Sequence, residues 1–175
     1  MNAGHLSIAA AAALLVFWIV GAYNRMVALR TALVARFAPI DDACRQRQAL
    51  LDEQLALLST ALASAGPRLE ALRAASRQFD TARELASVRP GAPSAVSSLR
   101  VAEDILADAR ARLPVQSAAG VDLPRLNTRL AASDTNLGYA RSEFNESVNR
   151  YNRAVGQFPT ILLARLFSFR PAATF

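Results

Sequence analysis

Lysine is missing from this chain, and all 20 of its basic residues are arginine. Cysteine and histidine are nearly missing too, with one of each, Cys44 and His5. A lone cysteine closes no intramolecular disulfide. One Cys and one His supply neither a Cys–His nucleophile pair nor a clustered metal site. Cys44 falls on an apolar helical stripe, so it reads as a buried, inert thiol. Glycine and proline are scarce, at 7 and 8 of 175 residues. No Gly-rich phosphate loop exists, and no Ser–His–Asp arrangement can be assembled. The acidic doublets Asp41–Asp42 and Glu103–Asp104 do not make catalytic pairs by themselves, because neighbours on a helix point about 100° apart. Enzyme activity, a cofactor, a metal and a small-molecule substrate are therefore not expected.

The net charge is +6, but basic and acidic residues alternate along the whole chain. Without a dense basic patch, nucleic acid is not an expected partner. What is abundant is apolar residue, 53% of the chain, mostly Ala and Leu. That composition favours helices over sheet.

The run "LSIAAAAALLVFWIVGA", Leu6 to Ala22, carries no charge over 17 residues. As a helix it is about 25 Å long, the short limit for crossing a bilayer. Leu6, Leu14, Leu15, Phe17, Trp18, Ile19 and Ala22 are the expected membrane-spanning residues. Trp18 and Tyr23 lie near one end, where interfacial aromatics belong. A cleaved signal peptide would want basic residues in "MNAGH", which has none, although "VGA" could serve as a cleavage site. A core helix would show polar punctuation. An uncleaved anchor is the favoured expectation. Arg25, Arg30 and Arg36 come after the run and before the first acidic residue, Asp41. The positive-inside rule then puts the N-terminus outside and the rest in the cytoplasm. These arginines could also touch anionic lipid.

Beyond Tyr23 the pattern is helical. Val27, Val34, Phe37, Ile40, Cys44, Leu51, Leu55, Leu58 and Leu62 recur at steps of three, four or seven. Pro39 should kink or restart this helix. "SAGP", Ser64 to Pro67, is a stop signal. A second helix carries Leu69, Leu72, Phe79 and Leu85, and "SVRPGAPS", Ser87 to Ser94, reads as a loop. A third helix carries Val96, Leu99, Leu106 and Leu113, and "PVQSAAGVD", Pro114 to Asp122, is another loop. Its last residue, Asp122, can cap the next helix.

The last long helix holds a heptad seam. Leu123, Leu130, Leu137, Phe144, Tyr151 and Phe158 are spaced by seven, with Asp134, Arg141, Val148 and Val155 at the intervening positions. "FNESV" and "YNRAV" repeat one phrase inside it, and "YNRMV" from Tyr23 echoes it, an aromatic–Val pair for the end of the bundle. Asp134 and Arg141 break the apolar rule. They are either solvated or paired with charges on neighbouring helices, the favoured reading, or they form a buried polar lock on register. Asn24, Asn145 and Asn152 suit hydrogen bonds across helices better than a ligand site. The end, "FPTILLARLFSFRPAATF" from Phe158, is dense in large apolar groups, with Pro159 at a turn. It reads as a short helix folded back on the bundle. The alternative is an interfacial helix on the same membrane, with Arg165 and Arg170 at headgroup level.

"LGYARSEFNESVNRYNRAVGQFPTILLARLFSF" resembles the C-terminal signature of the LemA family, at Tyr139, Ala140, Arg141, Asn145, Val148, Tyr151, Asn152, Phe158, Pro159, Leu163, Ala164, Phe167 and Phe169. Asp134 stands where the family usually has Glu. "YNRMVALR" and "IDDACRQRQALL" resemble the family's N-terminal half, while "LLDEQLALL" replaces its Leu-Ile-Pro-Asn-Leu-Val-like run. The resemblance implies a bacterial protein with one N-terminal membrane helix, a long helical bundle and no established catalytic activity. It also implies kinship with proteins linked to membrane remodelling or found near membrane proteases.

The expected architecture is all-α, a long antiparallel up-and-down bundle of about four helices behind an N-terminal transmembrane helix. Residues 1–22 form the terminus and anchor, 23–157 the bundle and 158–175 the apolar cap or interfacial helix. The expected role is a non-catalytic scaffold at the bacterial inner membrane. Its partners would be the bilayer and an unidentified membrane protein, with homo-oligomerisation open. The alternative is a lipid-binding or membrane-remodelling protein.

Overall fold

The computed structural model describes residues 3–61, 66–113 and 123–175. Leu62, the Ser64–Ala65 half of the "SAGP" stop, the Pro114–Asp122 loop and the cap expected from Asp122 lie outside the described residues, while Gly66 and Pro67 already belong to the next helix. The helices, in chain order, are α1 (Ala3–Ala61), α2 (Gly66–Val88), α3 (Pro93–Ala111), α4 (Leu123–Gly156) and α5 (Thr160–Leu166). There is no strand among the described residues.

The charge pairs give the topology. Arg36 meets Glu143, Arg47 meets Asp134, and Arg129 meets Glu53. As numbers rise along α1 they fall along α4, so the two run antiparallel. Arg83–Asp41 with Gln48–Ser76 sets α2 antiparallel to α1, and Glu103–Arg141 with Arg110–Asp134 sets α3 antiparallel to α4. The result is an up-and-down bundle. α1 packs most closely on α4, and α2 on α3.

Pro39 does not break α1, which runs unbroken for 59 residues. A mid-helix proline removes one hydrogen bond and costs about 3 kcal/mol. Here Phe37 and Ile40 on either side of it are buried, and Phe37 meets the Phe144 ring edge-on at 5.7 Å. Pro39 itself is exposed, so its ring stands clear of the core. Tertiary packing on both flanks overrides the local break.

The buried stripe of α1 is Met26, Leu33, Phe37, Ile40, Cys44, Leu51, Leu55 and Leu58. Val27 and Val34, expected inside, are exposed, since the stripe passes one residue earlier at that end. Leu85 of α2 is likewise exposed, and Ala82 and Ala86 are buried instead. On α3, Val96, Leu99 and Leu106 are inside as expected, and so is Leu113 just beyond it. The α4 seam from Leu123 to Tyr151 is buried at every seventh residue, with Val148 and Val155. Phe158 is exposed because α4 has already ended at Gly156.

The loop between α2 and α3 is shorter than its composition suggests, with Ser87, Val88, Pro93 and Ser94 inside helices. Gly91 makes the turn at φ +78. A Cβ there would lie 3.0 Å from the Ala172 side chain and 3.3 Å from Leu33. Only glycine suits both the backbone and the close approach. That approach brings the end of the chain against the α2–α3 turn.

Candidate functional site

The last residues of the chain lie extended along α4, held by their main chain. The Asn145 side-chain amide donates to Phe175 O and accepts from Phe175 N–H, both at 2.7 Å. Asn152 does the same for Ala172, both at 2.8 Å. The spacing explains the pairing. Seven residues of helix rise about 10.5 Å, and three residues of extended chain span about 10 Å. Each asparagine thus offers one amide edge to every third residue of the tail. Tyr151 Oη donates to Arg170 O at 3.0 Å. On the other side Ala173 N–H donates to Gly91 O at 2.8 Å, and Arg100 donates to Thr174 O at 3.4 Å. The Arg141 guanidinium lies 4.2 Å from the centre of the Phe175 ring, a cation–π contact. The repeated phrase in α4 therefore has two jobs. Its aromatic and Val enter the core, and its Asn clasps the tail backbone rather than a neighbouring helix.

Below the clasp, charged side chains span from helix to helix. Arg47 of α1 is buried and pairs with Glu103 of α3 at 2.9 Å and with Asp134 of α4 at 3.4 Å. Its guanidinium also lies 4.9 Å from the Phe79 ring centre. Glu103 takes a second partner, Arg141, and Asp134 takes Arg110 at 3.8 Å. Asp134 and Arg141 do not bond each other but belong to one network through Arg47 and Glu103. Burial lowers the Arg110 pKa, against the pull of Asp134. A second knot joins Arg83 to Asp41 and Asp80. Burial pulls the Arg83 pKa down, yet its hydrogen bonds to Asp41 and Asp80 outweigh this and leave it raised. Asp41 and Glu103, each half of an acidic doublet, are thus tied to arginines. Cys44 is fully buried, and burial pushes its thiol up to about 11. A thiol so held is a poor nucleophile at neutral pH.

At the other end, Leu6, Leu14, Leu15, Phe17 and Trp18 are exposed on α1, and Ile19 and Ala22 are half-buried. This is an apolar helix long enough to cross a membrane. Tyr23, one residue past the run, meets Phe167 and Phe169 edge-on at 5.0 and 5.8 Å. The α5 segment therefore folds back against α1 just past its apolar run. Its Leu163 and Ala164 are buried, while Phe158, Leu162 and Leu166, spaced by four, point outward at 76%, 59% and 73% exposure. Pro159 comes after a cis peptide bond and precedes α5. Asn24, Arg25, Arg30 and Arg36 are exposed on α1, and Arg36 reaches Glu143 at 3.4 Å.

Sequence reasoning missed Arg47, Glu103, Arg83 and Gly91. Arg47 left a trace, a charge at the position where the stripe Ile40–Cys44–Leu51 calls for an apolar residue. The clasp left none, because nothing local to residues 170–175 says what they lie on. Among the described residues no cluster of His, Cys, Asp and Glu could hold a metal.

No curated protein and no solved structure matches the chain. Residues 40–175, the stretch that spans the charge network, the heptad seam, α5 and the clasped tail, match the family described as LemA. The chain belongs to the LemA family, as an all-α helical bundle with one N-terminal apolar helix suited to membrane anchoring.

Proposed function

We propose that this protein is a membrane-tethered scaffold that acts through contacts with other membrane proteins at the bacterial inner membrane. In this reading residues 1–22 are the terminus and anchor, 23–157 the working bundle and 158–175 a cap at the bilayer. The N-terminus lies outside and the bundle in the cytoplasm. The observation that carries the reading is the continuity of α1, which runs from Ala3 to Ala61 without a break. A bundle built on its own anchor helix stands at a fixed height and angle to the bilayer, which suits a platform for neighbouring membrane proteins. A cleft between α1 and α4 offers a contact surface, lined by Pro39, Ala43, Tyr139 and Ala140. Tyr139 is 72% exposed there.

A second reading has its own support. Phe158, Leu162 and Leu166 form an outward apolar face on a segment that packs against Tyr23 at the base of the anchor. An apolar face at that level suits burial in the headgroup–acyl boundary, which would make the protein lipid-binding or membrane-shaping.

Photocrosslinking in native membranes separates the two. The chain has no Lys for amine reagents, so photoactivatable residues are placed at exposed Ser142 and Glu146 on α4 and at Ser168 beyond α5. Discrete protein adducts at Ser142 or Glu146 support the scaffold. Lipid adducts alone, concentrated at Ser168, overturn it in favour of the second reading.

A further inference from the structure

One cleft of about 540 Å³ lies where the tail, the α2–α3 turn and α1 meet. Three of its lining residues are arginines from different parts of the chain, Arg30 of α1, Arg89 of the turn and Arg170 of the tail. No carboxylate lines it, and none of the three makes an ion pair with a described residue. Elsewhere the bundle answers its interhelical arginines with acids, at Arg47, Arg83, Arg110 and Arg141. Three unanswered cations around one hollow are an anion site by charge. Ser168 adds a hydroxyl to the wall, while the Ser87 and Tyr151 hydroxyls there donate to Glu84 O and Arg170 O. The site is also preorganised. Tyr151 holds the Arg170 carbonyl, the Asn152 clasp fixes Ala172 two residues on, and Ala173 pins the tail to Gly91.

The height of the cleft narrows the anion. Arg30 lies eight residues past Ala22, the end of the apolar run, or about 12 Å along the helix. Side chains on a helix lean toward its N-terminus, and here that direction is toward the bilayer. The headgroup layer is about 5–8 Å deep on each side, within reach of an arginine that leans into it. Ser168 and Arg170 flank Phe169, whose ring packs on Tyr23 one residue past the run. We propose that this cleft is a phosphate-binding site that takes the headgroup of an anionic phospholipid from the surrounding leaflet. The guanidiniums would bind phosphate oxygens through paired N–H donors. This deepens the lipid reading above and rests on α1 lying in the bilayer.

The test uses the full chain purified in a neutral detergent and subjected to native mass spectrometry with added phosphatidylglycerol, phosphatidylcholine or inorganic phosphate. The wild type should retain one phosphatidylglycerol in preference to phosphatidylcholine. The triple variant Arg30→Gln/Arg89→Gln/Arg170→Gln should lose about a hundredfold in affinity, near fivefold per arginine. The triple variant Arg68→Gln/Arg77→Gln/Arg125→Gln, equal in charge change and exposed elsewhere, should bind as the wild type does. Equal losses in both variants, or no headgroup preference in the wild type, overturn the site. Inorganic phosphate binding as tightly as the lipid overturns the membrane source and leaves a soluble anion. Hydrogen exchange on the wild type needs no variant to fold. Phosphatidylglycerol, and not phosphatidylcholine, should slow exchange across residues 87–93 and 168–173, and equal slowing by both overturns the proposal. Retention of the protein in carbonate-washed membranes tests the anchor separately, so the two failures are told apart.

Discussion

Arg47 is the residue on which three helices depend. Its side chain is buried, and its guanidinium lies over the Phe79 ring and serves Glu103 and Asp134. Truncation to Ala empties that volume and removes one partner from each carboxylate, which should cost about 3 kcal/mol. Arg47→Met keeps an apolar stem in place, while Glu103 still has Arg141 and Asp134 still has Arg110. It should lose less than half as much by thermal melting monitored through helical circular dichroism. A Met variant as unstable as the Ala variant would mean that charge, not packing, governs the site. Cys44 gives a pH dependence. Its thiol titrates near 8.5 when unfolded and at about 11 when folded. The folded chain therefore keeps its proton longer, and this stabilisation is full below pH 8.5 and lost as pH rises toward 11. The stability advantage of the wild type over Cys44→Ala should shrink across that window. A constant difference between about pH 8 and about pH 10.5 would show that the folded thiol titrates normally. Burial also raises the Tyr151 pKa, against Arg30, and that contribution remains in both proteins.

At the scale of elements, α1 and the tail make opposite demands on local rules. Pro39 sits in an unbroken helix, so Pro39→Ala restores a backbone donor without disturbing the core. It should stabilise the bundle by about 1–3 kcal/mol, read as a higher melting temperature. A loss of stability would mean that the proline shapes α1 in a way the bundle needs. The tail is held by side chains, so Asn152→Ala removes two hydrogen bonds worth about 1 kcal/mol each. Amide exchange at Ala172, Ala173 and Phe175 should speed up about thirtyfold, with α4 itself unchanged. Unchanged tail exchange would place the hold elsewhere. The helices and their antiparallel order are legible because hydrophobic period is a local signal, strongest in α4, where Leu123 to Tyr151 keep step by seven. Near the start of α1 the period reads one residue out of phase, since the phrase "YNRMV" points to Val27 when Met26 faces inward. The clasp is not legible at all. It joins Asn145 and Asn152 to residues 172–175, and pairing between distant segments leaves no period to read.

For the whole molecule, the decisive question is which side of the bilayer the bundle occupies. The apolar run ends at Ala22, and Arg25, Arg30 and Arg36 stand beyond it before any acid. Basic residues flanking a span resist translocation, so charge asymmetry orients it. The continuity of α1 makes the consequence of the proposed anchor global, because a helix carrying both a span and the first face of the core would commit the whole bundle to one compartment. Single-cysteine labelling reads this directly. In a Cys44→Ala background, His5→Cys and Glu146→Cys place thiols at exposed positions on either side of the span. A membrane-impermeant maleimide applied to intact spheroplasts should label position 5 and spare position 146, and lysis should open position 146 to it. The reverse pattern would put the bundle outside, and its arginines would then face the outer leaflet. Labelling of both sites in intact cells would mean that the apolar helix does not span, and would remove the common ground on which the scaffold and the headgroup cleft both stand.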